Sequence, residues 1–219
     1  MTTRTRTRRP LCAAVAGSLV FLAAGCSDDT DGKPADASVT ADKLCGGGAV
    51  NKAAAKALQV ITGENRFAAS GEDSTVADAA EELAEKATYR NYELGDVCRI
   101  YPEDSAKEVR IRWELMSTPP RGPSAERFTA LPMGLDAGAS HDAAYVTFAC
   151  GDKDQPNSSP DYISASAEAT MRTGPDGDER AFKNAYATLA HSFALALAKE
   201  LKCDNGGGLE PEPSLVPAV

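Results

Sequence analysis

Four cysteines at nearly equal intervals constrain the fold of this chain more than any other feature. Cys45, Cys98, Cys150 and Cys203 are separated by 53, 52 and 53 residues. Zinc sites usually contain closely spaced cysteine or histidine pairs, which these spacings do not provide. An even number of cysteines predicts two disulfides if the chain is exported. Of the three pairings that four cysteines allow, Cys45–Cys98 with Cys150–Cys203 is favoured because it closes the shorter loops.

The beginning of the chain has the pattern of an export signal. Four arginines and no acidic residue precede an uncharged apolar run at 11–25. A membrane-spanning helix needs about 20 residues, whereas this run has 15. The pattern therefore predicts a secretory signal peptide over 1–25. Residues 7–12 partly resemble a twin-arginine signal, so the export route stays open.

The apolar run ends at a cysteine. Ala23, Ala24, Gly25 and Cys26 resemble the lipobox of bacterial lipoproteins, although its usual leucine lies one place earlier here, at Leu22. The resemblance implies cleavage after Gly25 and a diacylglyceryl group on the sulfur of Cys26. Two acyl chains anchor a protein stably to a bilayer. The alternative is an ordinary secreted protein whose signal peptide contains a cysteine.

Charge excludes two classes of partner. Removing residues 1–25, which carry four arginines and no acid, lowers the net charge from −9 to −13. Nucleic acid binding requires a basic face, and none is evident. The same charge disfavours electrostatic adhesion to anionic lipid headgroups. Lipid at Cys26 would therefore have to provide the membrane attachment.

Composition divides the exported part into three segments. Residues 26–43 begin with Cys26 and continue as an acidic stretch of small residues without aromatics, which predicts a flexible tether. Residues 204–219 are rich in glycine and proline and are predicted to be disordered. Between them, 44–203 is long enough for one domain with its own core.

Hydrophobic periodicity predicts the elements of this domain. Apolar residues recur at helical spacing in 49–63, 74–88 and 178–203. Asp73 or Ser74 is expected to cap the second helix and Asp178 the third. Alternation with period two predicts four strands, at 96–101, 108–116, 143–150 and 162–171, which form two hairpins. The order predicts an α+β fold: a four-stranded antiparallel sheet with about three helices on one face and two disulfides.

Sequence motifs give no catalytic site and no cofactor or metal site. The chain has two histidines. His191 is expected to face away from the apolar stripe of its helix and to be exposed. Ser140, His141 and Asp142 have the residue types of a triad, but adjacent residues cannot point into one another. Two acidic loops could offer oxygen ligands to calcium, although solvated loops are the favoured interpretation, with Asp152, Asp154 and Asp161 in one and Asp176, Asp178 and Glu179 in the other.

The long connection 117–142 has no clear periodicity, and such loops are often functional. Positive charge and apolar groups are concentrated there in an otherwise acidic domain, including a Met133 that is expected to be exposed. Together with the polar face of strand 108–116, this connection is predicted to form a contact surface, alternatively a plain ordered loop. The candidate residues are Arg110, Arg112, Arg121, Arg127 and Phe128.

Several sequence features resemble the secreted lipoproteins of high-GC Gram-positive, actinobacterial-type bacteria. These are the lipobox, the Ala- and Arg-bearing composition and the segments LCGG, VCRIY, VTFAC and AKELKC. The resemblance implies a lipid-anchored protein on the extracytoplasmic face of the cell membrane and no particular activity. We expect a non-enzymatic domain that binds a protein, a cell-wall component or a small molecule. The alternatives are an envelope hydrolase that uses acids such as Glu114 or Asp142, and a solute-binding component of a transporter.

Overall fold

The fold is built on a large antiparallel sheet. The computed structural model describes residues 38–69, 75–88, 92–104, 108–120, 126–151, 161–170 and 178–217. The strands are β1 Val39–Thr40, β2 Arg66–Phe67, β3 Glu93–Ile100, β4 Val109–Met116, β5 Thr129–Ala130, β6 Asp136–Ala139, β7 Ala143–Cys150 and β8 Asp161–Ala169. The helices are α1 Lys52–Thr62, α2 Val76–Ala87 and α3 Glu179–Glu200.

Six strands form the main sheet in the order β3-β4-β8-β7-β6-β5, and every pair is antiparallel. The predicted hairpins β3–β4 and β7–β8 are both present and lie side by side. The α+β class is confirmed, but the predicted four-stranded sheet is wrong. β1 and β2 form a separate two-stranded sheet.

The two additional strands of the main sheet lie in 117–142, which the sequence predicts as a connection without periodicity. β6 pairs with β7, and β5 pairs with β6. Apart from Thr129, their residues lack the β-branched and aromatic side chains that mark a strand in a sequence. The free edge of β7 supplies the hydrogen-bonding partners that these residues need to form strands.

Strict alternation in β4 separates the two faces of the sheet. Val109, Ile111, Trp113 and Leu115 are buried, and the residues between them are half-buried. α3 packs across β6, β7 and β8, and α2 packs against β3 and β4. The helices cover the apolar face, and the other face carries the polar positions, which is the usual division of an antiparallel sheet.

Each helix begins at a polar cap. The Asn51 side chain accepts hydrogen bonds from the backbone N–H groups of Ala53 and Ala54, both at 2.9 Å. Asp178 caps α3 as predicted, and its carboxylate accepts from the N–H of Arg180. The predicted cap of α2 is wrong by one residue or more, because the cap is Thr75, not Asp73 or Ser74.

α3 is buried on almost all sides, and this overturns one prediction. Residues 185–194 are all buried because the sheet covers one side of the helix and α1 packs on it as well. His191, expected to be exposed, is only 2% exposed. The ring lies near the backbone of Glu210, which follows α3 in the chain. Burial lowers the pKa of His191, and the nearby backbone of Glu210 opposes that shift only in part.

The segment after α3, predicted as a disordered tail over 204–219, lies against the domain through residue 217. Residues 204–208 form a 3-10 turn, and Leu209 and Leu215 pack against the core. Gly207 has a φ of 72°, and a Cβ there would lie 2.7 Å from the Phe148 ring, so only glycine fits. Leucines among glycines and prolines supply enough apolar contact to order the segment.

The predicted disulfides are confirmed. Cys45 is bonded to Cys98 and Cys150 to Cys203. The first ties the segment before α1 to β3, and the second ties the end of β7 to the residues after α3. Both bonds therefore connect the helical layer to the sheet.

The predicted tether ends earlier than residue 43. Val39 and Thr40 form β1, and Ala41 is buried against the core. The signal segment 1–25, Cys26 and the tether up to residue 37 lie outside the described residues. No helix in the described part of the chain is long and apolar enough to cross a membrane.

Loss of either disulfide should destabilise the domain. Each closes a loop with a sequence separation of 53 residues, for which the chain-entropy model gives about 4 kcal/mol. Denaturant unfolding of Cys45→Ala/Cys98→Ala and of Cys150→Ala/Cys203→Ala, followed by the fluorescence of the only tryptophan, Trp113, measures the loss. A change below about 1 kcal/mol in both variants would contradict the structural role of the disulfides.

The stability of the domain should fall as the pH drops below about 6.5. The pKa of His191 is lowered in the folded state, so the unfolded chain takes up the proton first and gains free energy from it. The expected slope reaches up to about 1.4 kcal/mol per pH unit just below that pH. Urea unfolding between pH 7.5 and 5.5 measures this slope.

The second histidine provides the control for this measurement. His191→Gln should flatten the pH dependence, whereas His141→Gln, at an exposed position, should keep it. Equal slopes in wild type and His191→Gln would show that His191 does not control the pH response.

Candidate functional site

The polar face of the sheet contains a cavity of about 340 Å³, which we call the open-face groove. Its floor lies on the central strands β7 and β8, where side chains alternate between the core and this face. Val146 and Phe148 point to the core, whereas Thr147 between them points to the groove. Ser164 and Ser166 alternate in the same way with Ile163, Ala165 and Ala167.

The register of the strands brings the floor hydroxyls together. Thr147 pairs with Ser164, and Tyr145 pairs with Ser166. Cross-strand neighbours lie about 4.5–5.5 Å apart at their Cβ atoms. Four hydroxyl-bearing side chains therefore occupy one patch at the centre of the sheet.

Two of these hydroxyl-bearing residues are deeply buried, but their hydroxyls form no hydrogen bond in the described part of the chain. Thr147 is 2% exposed and Ser164 is 7% exposed. Neither hydroxyl, nor that of Ser166, is hydrogen-bonded to another group in the described part of the chain. None of them is a fully enclosed orphan either, so the hydroxyl oxygens open onto the groove. Hydroxyls that the protein leaves unpaired and that open onto a cavity are available to a ligand.

An aromatic pair forms one wall of the groove. The rings of Phe128 and Tyr145 meet edge to face, with centroids 5.1 Å apart and an interplanar angle of 77°. The guanidinium of Arg127 lies 4.4 Å from the centroid of the Phe128 ring. The Tyr145 hydroxyl donates to a carboxylate oxygen of Asp136 at 3.0 Å. These contacts hold the wall in place beside the hydroxyl floor.

The predicted contact surface falls into two parts. Arg127 and Phe128 line the groove. Arg110 and Arg112 lie on the same polar face but outside the groove lining, and both are in ion pairs. Arg121 lies outside the described residues.

Ion pairs compensate the arginines of β4. Arg112 donates to Glu168 at 3.0 Å and also lies 3.7 Å from Asp96. The Nε atom of Arg110 lies 3.5 Å from the carboxylate of Glu108. The positive charges of β4 are therefore part of a network of alternating charges. Met133, expected to be exposed, is 6% exposed and belongs to the core, because the connection folds back onto the sheet.

Three carboxylates lie at the margins of the groove, at Glu114, Asp136 and Glu168. Glu114 and Asp136 belong to one cross-strand row, separated by Ser164 and Thr147. Three strand spacings place their Cα atoms about 14 Å apart. Glu168 lies four residues along β8 from that row, or about 13 Å away.

The directions of the carboxylates do not suit acid-base hydrolysis, which needs two carboxyl groups that flank one scissile bond. Glycosidase carboxyl groups lie about 5–9.5 Å apart. Asp136 is turned towards Tyr145 and Glu168 towards Arg112. Burial, and then the charge of Glu114, raise the pKa of Tyr92 at the edge of the sheet, so Glu114 lies near that hydroxyl. The carboxylates are directed to partners around the groove and not to a common point within it.

Asp142, the other acid considered for hydrolysis, lies in the turn between β6 and β7. The hydroxyl of Ser140 donates to its carboxylate at 2.6 Å. Partial burial opposes ionisation, but this hydrogen bond and the nearby His141 and Arg127 lower the pKa of Asp142 overall. A carboxyl group that stays ionised cannot act as a general acid at neutral pH. Ser140, His141 and Asp142 together form a hydrogen-bonded turn with His141 exposed.

Metal binding finds no support in the described ranges. They contain no group of three or more His, Cys, Asp or Glu side chains arranged to hold an ion. Asp152, Asp154 and Asp176 of the two acidic loops lie outside the described residues. Asp178 serves as the cap of α3.

The hydroxyl floor was not predicted from the sequence. The available signal was small hydroxyl residues at the outward positions of two adjacent strands, Thr147, Ser164 and Ser166. Outward serine and threonine are common on solvated sheets. The pattern indicates a binding site only when the strands are known to be central and the residues Thr147 and Ser164 are known to be buried.

No family model matches the chain, and it matches no curated protein and no solved structure. The function is therefore inferred from the groove and its surroundings.

Removing the floor hydroxyls should not weaken the fold. Thr147→Val and Ser164→Ala delete groups without protein partners, so the free energy of unfolding should stay within about 0.5 kcal/mol of wild type or rise. Thermal and urea unfolding measure the change.

Two buried hydroxyls elsewhere provide matched controls. Ser192 donates to the carbonyl of Ala49 at 2.6 Å, and Thr188 to that of Asn184 at 2.7 Å. Ser192→Ala should lower the free energy of unfolding by about 1 kcal/mol, because it leaves the Ala49 carbonyl without its donor. Thr188→Val makes the same change as Thr147→Val, but at a hydroxyl that is hydrogen-bonded. A comparable loss in Ser164→Ala would show that its hydroxyl has a structural partner.

Proposed function

We propose that this protein is a lipid-anchored extracytoplasmic lipoprotein whose single domain binds a ligand in the open-face groove without catalysing a reaction. The observation that carries the binding function is the floor of the groove, where Thr147 and Ser164 are buried residues whose hydroxyls have no protein partner and open onto the cavity. Such groups lower stability or leave it unchanged, and their presence is accounted for if a ligand satisfies them.

Binding is favoured over hydrolysis by the arrangement of the acids. The carboxylates lie at separate margins of the groove, and those of Asp136 and Glu168 are hydrogen-bonded to Tyr145 and Arg112. The groove offers recognition groups on its floor, and the backbone positions of its carboxylates in the described part of the chain are about 13–14 Å apart.

A transporter component is also less well supported. Solute-binding subunits usually close two lobes around a ligand, whereas all described residues belong to one compact unit. A groove on the face of one sheet suits a binding module that is already formed before its ligand arrives.

The anchor is proposed from the sequence. Cys26 follows the small residues of a lipobox, and 12 positions separate it from Ser38, where the described domain begins. The net charge of −13 that remains after residues 1–25 are removed offers no electrostatic attraction to anionic lipid. The proposed attachment to the bilayer is therefore the diacylglyceryl group, and the proposed partner of the groove is a component of the cell envelope and not nucleic acid.

Cys26→Ser should abolish membrane attachment. In a bacterial host with lipoprotein processing, wild type should pellet with membranes and Cys26→Ser should not carry lipid or pellet as a processed form. Cys12→Ser alters the other cysteine of the signal region and should behave as wild type. Intact mass shows directly whether the extracted protein carries lipid. Unchanged membrane attachment of Cys26→Ser would contradict the proposed anchor.

Envelope fractions should perturb the groove selectively. Amide chemical shifts of the labelled protein are recorded with glycan, peptide and lipid fractions of bacterial envelopes. At least one fraction should shift the signals of Tyr145, Thr147, Ser164 and Ser166 more than those of α1. Shifts confined to other surfaces, or none with any fraction, would contradict the groove as the binding site.

A further inference from the structure

We infer that the open-face groove binds an uncharged polyhydroxylated ligand, an oligosaccharide segment without acidic groups. This inference rests on the proposed binding function and specifies the chemical class of the ligand. It combines the buried floor hydroxyls, the charges around the groove, the position of the groove on the sheet and the aromatic wall.

The floor hydroxyls require a partner that both donates and accepts. Thr147, Ser164 and Ser166 each offer one O–H donor and two acceptor lone pairs. They are spaced along two paired strands, with Thr147 directly across from Ser164. The hydroxyls of a sugar have the same dual character and similar spacing along the ring. An apolar ligand would leave the floor groups of Thr147 and Ser164 buried and unpaired, which is costly.

Charge around the groove disfavours an anionic ligand. In the described part of the chain, three carboxylates and one guanidinium line it, at Glu114, Asp136, Glu168 and Arg127. The guanidinium lies over Phe128, and Arg112 outside the lining is paired with Glu168. Phosphate, sulfate or uronate groups would therefore meet excess negative charge in a partly enclosed site. Carboxylates are good acceptors for the hydroxyl donors of a neutral sugar.

The position of the groove disfavours recognition of a peptide backbone. Peptides that extend a sheet need the free N–H and C=O groups of an edge strand. β4, β8 and β7 lie inside the sheet and are paired on both sides. The groove can therefore recognise a ligand through side chains, and its floor side chains are hydroxyls.

The aromatic wall complements the hydroxyl floor. Tyr145 is half-buried and lines the groove, and its ring is fixed by Phe128 and its hydroxyl by Asp136. An aromatic ring provides an apolar surface at a low cost in conformational entropy. The C–H face of a sugar ring can pack on this wall while its hydroxyls reach the floor. The volume of about 340 Å³ lies in the range of small-molecule sites and suits a short segment of a glycan.

A glycan array with the full-length protein tests the inference. The protein is kept in a detergent without a sugar headgroup, and the array carries neutral hexose and pentose oligosaccharides beside uronate-bearing and sulfated ones. Binding should be confined to neutral oligosaccharides. The strongest of them is then titrated calorimetrically against wild type, Thr147→Val/Ser164→Ala and the control Ser192→Ala. The double variant should bind at least tenfold more weakly, and the control should bind as wild type does.

The possible negative results distinguish a wrong ligand class from a wrong binding function. Binding to no neutral oligosaccharide, a preference for acidic ones, or equal affinity of the double variant and wild type would overturn the inference. If a peptide or lipid fraction nevertheless shifts the groove signals in the NMR experiment, the proposed binding function stands and only the ligand class is wrong. If no fraction shifts the groove signals, the proposed function fails as well.

Discussion

The register of β8 between β4 and β7 is the constraint on which both faces of the sheet depend. β8 is paired with β4 from Tyr162 to Ala169 and with β7 from Asp161 to Glu168. Because side chains alternate strictly along a strand, a slip of one residue would exchange Ile163, Ala165 and Ala167 with the serines between them. The hydrophobic core under α3 and the hydroxyl floor of the groove are thus two results of one pairing, and neither could change without the other.

The helical layer stabilises that register. α3 lies across the central strands and is itself covered by α1 and by the segment that follows it. Cys45–Cys98 and Cys150–Cys203 connect this layer to opposite ends of the sheet. In this core the side-chain hydroxyls of Thr188 and Ser192 are paired, and of the described core residues Trp113 has a buried side-chain nitrogen, Nε1, without a partner. Against this background, the unpaired hydroxyls on the other face are a local departure, as expected at functional sites.

Elements with strong local periodicity were predictable from the sequence. β4 alternates without interruption, and the three helices have clear apolar faces, so their positions agree with the structure to within a few residues. β6 could not be predicted, because its residues Asp136–Ala139 are small and form a strand only against β7. The burial of His191 could not be predicted from its helix alone, since residues distant in sequence cover it. The order of 204–217 depends on Leu209 and Leu215 reaching the core, which composition does not reveal.

The candidate site was predictable only in part. Arg127 and Phe128 were identified as unusual residues, and they do form a wall of the groove. Arg110 and Arg112 were identified by their charge, but their acidic partners come from other segments, including β8, and compensate that charge. The hydroxyl floor needs the register of two strands and the burial of the site, and both are properties of the assembled sheet.

Thiol labelling at two adjacent positions of β8 tests the central claim most directly. Ser166 lines the groove and Ala165 is fully buried in the core. In the folded protein, Ser166→Cys should react with a small alkylating reagent, whereas Ala165→Cys should react only after unfolding. Protection of Ser166→Cys together with rapid labelling of Ala165→Cys, or equal rates at both positions, would contradict the register and with it the groove.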